Sequence, residues 1–580
     1  MMHAFLRPIL MIALTLLLLA PVVSADDSGP IGYWKLAGDC RDYSGGGNDA
    51  TNHGVDLTAP GPAGQPGGAA RFDGMNHYIE VPDRPSLHFG SGDFTLSAWV
   101  KLDEDVSGVI GDIISKYDPS LRKGFNVQIA ASSPGYSSIG NSRHVFFGID
   151  NAQVGPWIDC GKPWPGNTLV STLIAHDGEL YTGIADAVRP QDACRVFRYA
   201  GGKQWVDCGR VGNDPLTRSV YSVVVHKGRL YAGTGTWDWE KAWKGKGVAG
   251  LNHVYRYEGG TTWHDCGQFG EGFRVMSLAS YAGQLYASDD KGCFYRYDAD
   301  GVWTLCGKVP DTKIFTMMVY QGRLYGGTNT VIYRYDGPTT WTPVSETMFG
   351  ENQVHTLQVY GGRLYAGAWP AGKVLRYEGG KKWVDCGQLG IPTDKHKINE
   401  VNDLTTYNGK LYAGVIPKAE VWRYEHDQTW TRLAQLVTNP AWSAESTPTW
   451  NRVPCLTVFQ GRLYAGTSTC HGRADESALA DVGRVLAMEA GKGASYHHDL
   501  PVGWSHLAAV RQGGRLKLYL DGRQCALSSA FDAAAYDIST DRPLVIGFGS
   551  ANYFTGSLCE VRLYRRALTD AELAGLSRRG

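Results

Sequence analysis

Arg274, Lys313, Glu400 and Arg452 occupy one shared register in four copies of a repeat, each three residues ahead of a small or polar residue on an apolar segment. If the repeats close on themselves, these side chains converge. Cations gathered around one carboxylate can hold an anionic group by charge-assisted hydrogen bonds; the same charges can also form a solvated rim with an internal salt bridge. A second cluster is Trp237, Trp239 and Trp243 in TWDWEKAW, with Asp238 and Glu240 between them. Flat rings beside carboxylates suit stacking on sugar rings while the polar groups bond hydroxyls. Such rings also pack a loop onto its scaffold. Both clusters point to binding chemistry.

Other chemistries lack their residues. The sequence holds no HExxH, no CxxC pair and no phosphate-binding Gly loop. The formal net charge of -1 provides no global field for nucleic acid or an anionic membrane. No cofactor is expected. Residues 1–25 read as a secretory signal, with Arg7, an apolar run from Pro8 to Ala20, and small residues at Val23-Ser24-Ala25. An exported, monomeric protein with no membrane insertion is expected. Its 580 residues exceed the roughly 250–300 at which one core stops growing, so several domains should be present.

The element that must position the clusters is the repeat. Seven copies read DGELYTG, KGRLYAG, AGQLYAS, QGRLYGG, GGRLYAG, NGKLYAG and QGRLYAG. Each follows an alternating strand and precedes a strand ending in Arg-Tyr and then a Trp-led strand, the size of a four-stranded propeller blade. The seventh copy lacks its Trp strand, whereas Trp157 stands ahead of the first, so the Trp157 segment should complete the last blade and close the ring. The recurring Trp157, Trp205, Trp263, Trp303, Trp341, Trp383 and Trp430 read as interblade packing. Cys160, Cys208, Cys266, Cys306 and Cys386 read as buried small apolar residues. Thr172, Ser222, Ser277, Thr316, Thr356, Asp403 and Cys455 read as the lining of a narrow wet channel. In such a ring the short turns share one face and the long insertions the other, and long loops on a rigid scaffold are where binding is usually placed. Trp164, Trp369, Trp442 and Trp450 fall on that second face.

The flanks are two parts of one unit. Residues 31–151 contain RFDGMNHYIEVP and FTLSAWVK, and residues 494–580 contain WSHLAAV, LKLYLDG and GSLCEVRLYRRALTDAEL. Together they resemble the concanavalin A-like, laminin G-like jelly roll. The resemblance implies a jelly roll, and with the repeat array it gives an all-β architecture, a seven-bladed β-propeller inserted into a concanavalin A-like jelly-roll β-sandwich. The units are residues 26–151, 152–491 for the propeller, and 492–580. DYSGGGND resembles the family stretch that often helps hold a structural Ca²⁺, which implies Asp42 and Asn48 as ligands; Cys559 stands where an acid usually precedes Glu560. First and last strands are neighbours in this family, which implies a Cys40–Cys559 disulfide in an exported protein. RALTDAEL should form a short helix capped by Thr569 with Glu572 three residues on.

The turns YEGGTTW, YDGPTTW and YEGGKKW resemble the Asp box of sialidase-type propellers, where the box is structural. That resemblance would recruit Arg218, Arg274 and Arg452, with Tyr221 and Glu400 as a nucleophile pair. The Arg-Ile-Pro segment and the six blades of that family are missing. The expectation is therefore a secreted, non-catalytic protein that binds a glycan or an extracellular protein through the long-loop face and the laminin G-like unit. The alternative is a propeller glycoside hydrolase with the jelly roll as its lectin module.

Overall fold

The structure, a computed structural model, describes residues 29–132, 138–236, 247–310, 313–347, 350–391, 399–438, 450–469 and 482–578. Two strand systems account for nearly all of it. The first is a seven-bladed propeller. Its innermost strands are Asn167–His176, Ser219–His226, Val275–Tyr281, Thr316–Tyr320, Gln353–Tyr360, Glu400–Tyr407 and Arg452–Phe459, each in contact with the next around the ring. Blades two to six are continuous four-strand antiparallel sheets. The ring closes where the sequence places it. Ile158–Asp159, directly after Trp157, pairs with Val485–Met488 and becomes the outer strand of the seventh blade.

The second system is a sandwich of two antiparallel sheets. One contains Phe94–Leu102 between Thr555–Tyr564 and Gly503–Gln512; the other contains Val109–Asp118, Lys123–Ala130, His144–Val154 and Ala490–Tyr496. Val154 and Ala490 are partners on adjacent strands, so the chain leaves and re-enters the sandwich at one rung of one sheet. A closed ring, whose ends lie together, is inserted there at little conformational cost. The helix Asp570–Leu576 carries the expected capping box of Thr569 and Glu572.

The sandwich sits on the short-turn face of the propeller. Asn408 in the sixth blade's turn donates to the carbonyls of Ile149 and Ala490, at 3.0 and 2.7 Å. Gly178 donates to His497 at 3.0 Å and Gly361 to Ser550 at 2.7 Å. A sandwich loop reaches further in. Ile139 bonds both sides of Ala279 on the third blade's inner strand, through Leu278 and Ser280 at 3.0 and 2.7 Å, and its side chain joins Met318 and Leu357. Gly140 must be glycine, because a Cβ there would lie 2.8 Å from the Val225 carbonyl oxygen.

Two expectations are corrected. The Thr172–Cys455 register does not line a wet channel: all seven residues are fully buried. In six inner strands a register shift falls just before this position, for example between Val220 and Ser222 and between Val401 and Asp403. A bulge of this kind turns the next side chain to the other face. Three of the hydroxyls bond inside the ring instead: Thr172 Oγ1 accepts from Gly183 at 3.0 Å, Ser277 Oγ meets Ser288 Oγ at 2.9 Å, and Thr356 Oγ1 accepts from Leu404 of the next blade at 3.1 Å.

The Cys40–Cys559 disulfide is not formed. Alternation along Thr555–Tyr564 sends Leu558 into the inter-sheet core, where Cys40 also lies. Cys559 faces the other way, against Ala69 and Trp99. The two sulfurs are on opposite sides of one sheet.

Candidate functional site

The long-loop mouth of the propeller brings together Arg274, Lys313, Glu400 and Arg452. Their mutual fields are felt at His355, which lies among them. The residues two positions on, Tyr221, Met276, Phe315, His355 and Asn402, sit at the register shifts or, for Phe315, just ahead of its strand. There Leu169, Ala185, Tyr221, Met276 and Phe315 form an apolar plug with Trp450 packed against it. The charged residues thus lie against an apolar cluster.

The charges rest on the aromatics. The Arg274 guanidinium stands 4.5 Å from the Tyr221 ring centre, Lys313 5.8 Å from Phe315 and Arg452 5.9 Å from Trp450. Such cation–π contacts fix a cation's position at a partly desolvated site. Phe315 lies 4.7 Å from the His355 ring. His355 Nε2 meets Gln353 Oε1 at 2.6 Å, and its Nδ1 lies 3.3 Å from the Glu400 carboxylate. Glu400 also accepts from the Asn402 amide. Burial holds the His355 imidazole below its usual range; Glu400 pulls it up, while Arg452, Lys313 and Arg274 push it down. Burial and the neighbouring Arg274 lower the Lys313 ammonium as well. Arg274, Glu400 and Arg452 are only 5%, 4% and 7% exposed, so they present edges rather than free arms.

Trp237, Trp239, Trp243 and Trp442 lie outside the described residues. Trp164 and Trp369 are half-buried at their blades; the Trp164 ring lies 6.0 Å from Phe197 and 5.6 Å from the Arg195 guanidinium. Of the apolar cluster, Tyr221 and Trp450 were among the expected residues, whereas Met276 and Phe315 were not. The sequence signal for those two was their place two residues after Arg274 and Lys313.

The Asp-box-like turns are scaffold. Arg256, Arg334 and Arg376 each bond the acid two residues on, Glu258, Asp336 and Glu378, at 2.6, 2.7 and 2.6 Å. The recurring cysteines are buried.

Asp42 and Asn48 are close together but do not fit a calcium ion. Asp42 Oδ1 accepts the N–H groups of Tyr33 and Ser44, both at 2.9 Å, and Oδ2 accepts that of Asn48 at 2.8 Å. Burial works against ionisation, but these bonds outweigh it and lower the carboxyl pKa. Asn48 donates to the Ile31 carbonyl at 2.7 Å. The oxygens a cation would need are spent on backbone donors that fold the loop. A further grouping of Asp83, His88 and Asp541 already contains a cation: Lys116 Nζ lies 2.5 Å from Asp83.

Residues 489–574 match the family described as Concanavalin A-like lectin/glucanases superfamily. The chain therefore has a laminin G-like domain, completed by its N-terminal flank and split by the propeller. No curated protein matches the chain in sequence. Among solved structures, it is similar to a chain described as the extracellular domain of a hybrid two component system from B. thetaiotaomicron, at 15% identity and TM-score 0.41, covering 57% of this chain and 39% of that one. This chain thus spans about two fifths of that protein's length. Virginiamycin B lyase from Staphylococcus aureus is similar at 8% identity and TM-score 0.40, over 58% of this chain and 99% of that one. A GH74 enzyme from Niastella koreensis is similar at 13% identity and TM-score 0.36, over 67% and 62%.

Proposed function

We propose that this is an exported, non-catalytic binding protein. Its propeller recognises an acidic group of a glycan, or of a protein, over the mouth ringed by Arg274, Lys313 and Arg452. The carrying observation is the arrangement of that mouth. Cations are seated on aromatic rings against the buried cluster of Leu169, Tyr221, Met276 and Phe315. Desolvated, pre-positioned cations bind anions more strongly than mobile surface arms, because less side-chain freedom is lost on binding.

A hydrolase would need a pair of carboxylates at a defined separation, or an equivalent nucleophile and acid. Glu400 is engaged by Asn402 and His355, and the Tyr221 ring lies beneath Arg274. Those engagements favour the binding reading. Export is supported by the signal-like residues 1–25 and by the laminin G-like domain; among the described residues no helix is long and apolar enough to cross a membrane.

The test is an array of acidic and neutral glycans probed with the mature chain, its Arg274→Gln/Arg452→Gln variant and its Glu400→Gln variant, with product release measured in parallel. Binding to acidic glycans that the double variant loses, without turnover, is the expected result. Turnover abolished by Glu400→Gln would overturn the non-catalytic reading. Binding that survives the double variant would move the ligand away from the mouth.

A further inference from the structure

The fifth of the seven turns against the sandwich departs from the others. In the other six, the residue ahead of the recurring glycine carries a side chain in the left-handed region. These are Asp177, Lys227, Ala282, Gln321, Asn408 and Gln460, with φ between 42° and 48°. The fifth copy has Gly361, at φ 55°. Backbone strain does not demand glycine there, since six other residues adopt the same conformation. Contact does not demand it either: a Cβ on Gly361 would meet nothing within 4 Å. What the glycine leaves is space.

That space is a groove of about 430 Å³ between the sandwich and the fifth blade, within the roughly 300–1,000 Å³ of small-ligand sites. Its aromatic wall is Phe548 and Tyr553, stacked at 4.1 Å and 15°, with Tyr78 tilted against them at 5.8 and 6.3 Å. All three rings are partly exposed. The two sides of the groove are held in register by the bond from Gly361 to the Ser550 carbonyl. At Gly362 the approach is close enough that a Cβ would fall 2.5 Å from the Tyr553 ring. Glu80 and Arg542 complete the lining, and Arg542 Nε is steadied by Asp118 at 3.0 Å.

We propose that this groove binds a neutral hexopyranose unit of a glycan, independently of the mouth. The C–H face of a pyranose ring can pack against the exposed parts of Phe548, Tyr553 and Tyr78, one face of Tyr78 being covered by His53 at 4.3 Å. Its hydroxyls can donate to the Glu80 carboxylate and accept from the Arg542 guanidinium, the two-way bonding a sugar hydroxyl provides. One acid and one base facing the same ligand give no preference for net charge, so an ionic ligand would meet one like charge.

The test is saturation-transfer NMR on the full chain with three probes: methyl β-D-glucopyranoside, methyl β-D-galactopyranoside and methyl α-D-mannopyranoside. Gly361→Gln installs the residue of the fourth and seventh turns, which the turn conformation accommodates, and fills the groove. Glu80→Gln removes the charge at constant volume and decides the matter if Gly361→Gln fails to fold. The wild type should bind at least one glycoside. Each groove variant should weaken it roughly tenfold or more, about 1.4 kcal/mol, and Arg274→Gln at the mouth should leave it unchanged. The proposal is overturned if none of the three probes binds, or if binding persists in the folded groove variants. Loss with Arg274→Gln alone would also overturn it and place the sugar at the mouth.

Discussion

The indole N–H of Trp383 donates to the Val344 carbonyl, one blade earlier, at 2.9 Å. The same bond recurs from Trp205 to Cys160, Trp263 to Cys208, Trp303 to Cys266 and Trp430 to Cys386. Each Trp therefore laces its blade's outer strand to that of the blade before it. Trp341 breaks the series: its indole nitrogen is buried with no hydrogen-bond partner. The ring instead meets the edge of Phe294 at 5.0 Å.

That difference separates two substitutions of equal size. Trp383→Phe strands the Val344 carbonyl in a buried site and should cost about 1–3 kcal/mol for the lost bond, on top of the lost ring area. Trp341→Phe loses similar area but also removes an unsatisfied donor, so it should cost clearly less. Urea midpoints of the two variants check this, and equal losses would refute the interblade role given to the N–H.

Much of the ring was legible because its signals are local. A Gly turn, an alternating strand and a Trp recur at blade spacing, and the offset of Trp157 gave the closing strand that pairs with Val485–Met488. The failures are where one residue of register decides the outcome. A bulge before Ser222 or Asp403 reverses the side chain, and nothing in the residue types announces it. Cys40 and Cys559 sit on neighbouring segments, but alternation puts them on opposite faces. The mouth charges were found by counting; Phe315 beneath Lys313 required the next alternate residue as well. The groove joins Tyr78, Gly361 and Tyr553, far apart in sequence, and its one local trace is the doubled glycine of GGRLYAG.

The seam between sandwich and propeller should be acid-labile. His497 accepts the Gln460 N–H at 3.1 Å and lies 2.7 Å from Ser495 Oγ. His144 stands 5.2 Å from it, ring to ring, with Asp499 3.9 Å away. His498 nearby is paired with Asp177 at 2.7 Å. Burial, then the neighbouring His498, depresses His497 to about 3; burial also drives His144 well below its ordinary value. The unfolded chain protonates both near pH 6.5 while the folded chain does not. Stability is therefore intact above about pH 6.5 and falls as the pH drops toward 3, at up to about 1.4 kcal/mol per pH unit for each histidine. Thermal melts between pH 7.5 and 4.5 should show the decline, and His497→Gln, whose amide oxygen can still accept from Gln460, should flatten it. An unchanged slope in that variant would dismiss the seam as the acid-sensitive element.

Asp403 is the opposite case, a buried acid that should prefer to be an amide. Fully enclosed, it joins three blades: its Oδ2 accepts the Leu456 N–H of the seventh blade at 2.7 Å, and its Oδ1 meets Thr356 Oγ1 of the fifth at 3.4 Å. Burial raises its carboxyl pKa well above the ordinary value, and the bonds from Leu456, Leu404 and Thr356 recover only part of the loss. Because the folded pKa is the higher one, the group's contribution is fully present below about pH 3.8 and is lost as the pH rises. Asp403→Asn keeps the shape and the oxygen acceptor for Leu456 while removing the titration. The variant should match the wild type near pH 4 and melt at a higher temperature at pH 7 to 8, the gap widening with pH. A gap that is constant across this range, or that favours the wild type at pH 8, would mean that Asp403 is held ionised.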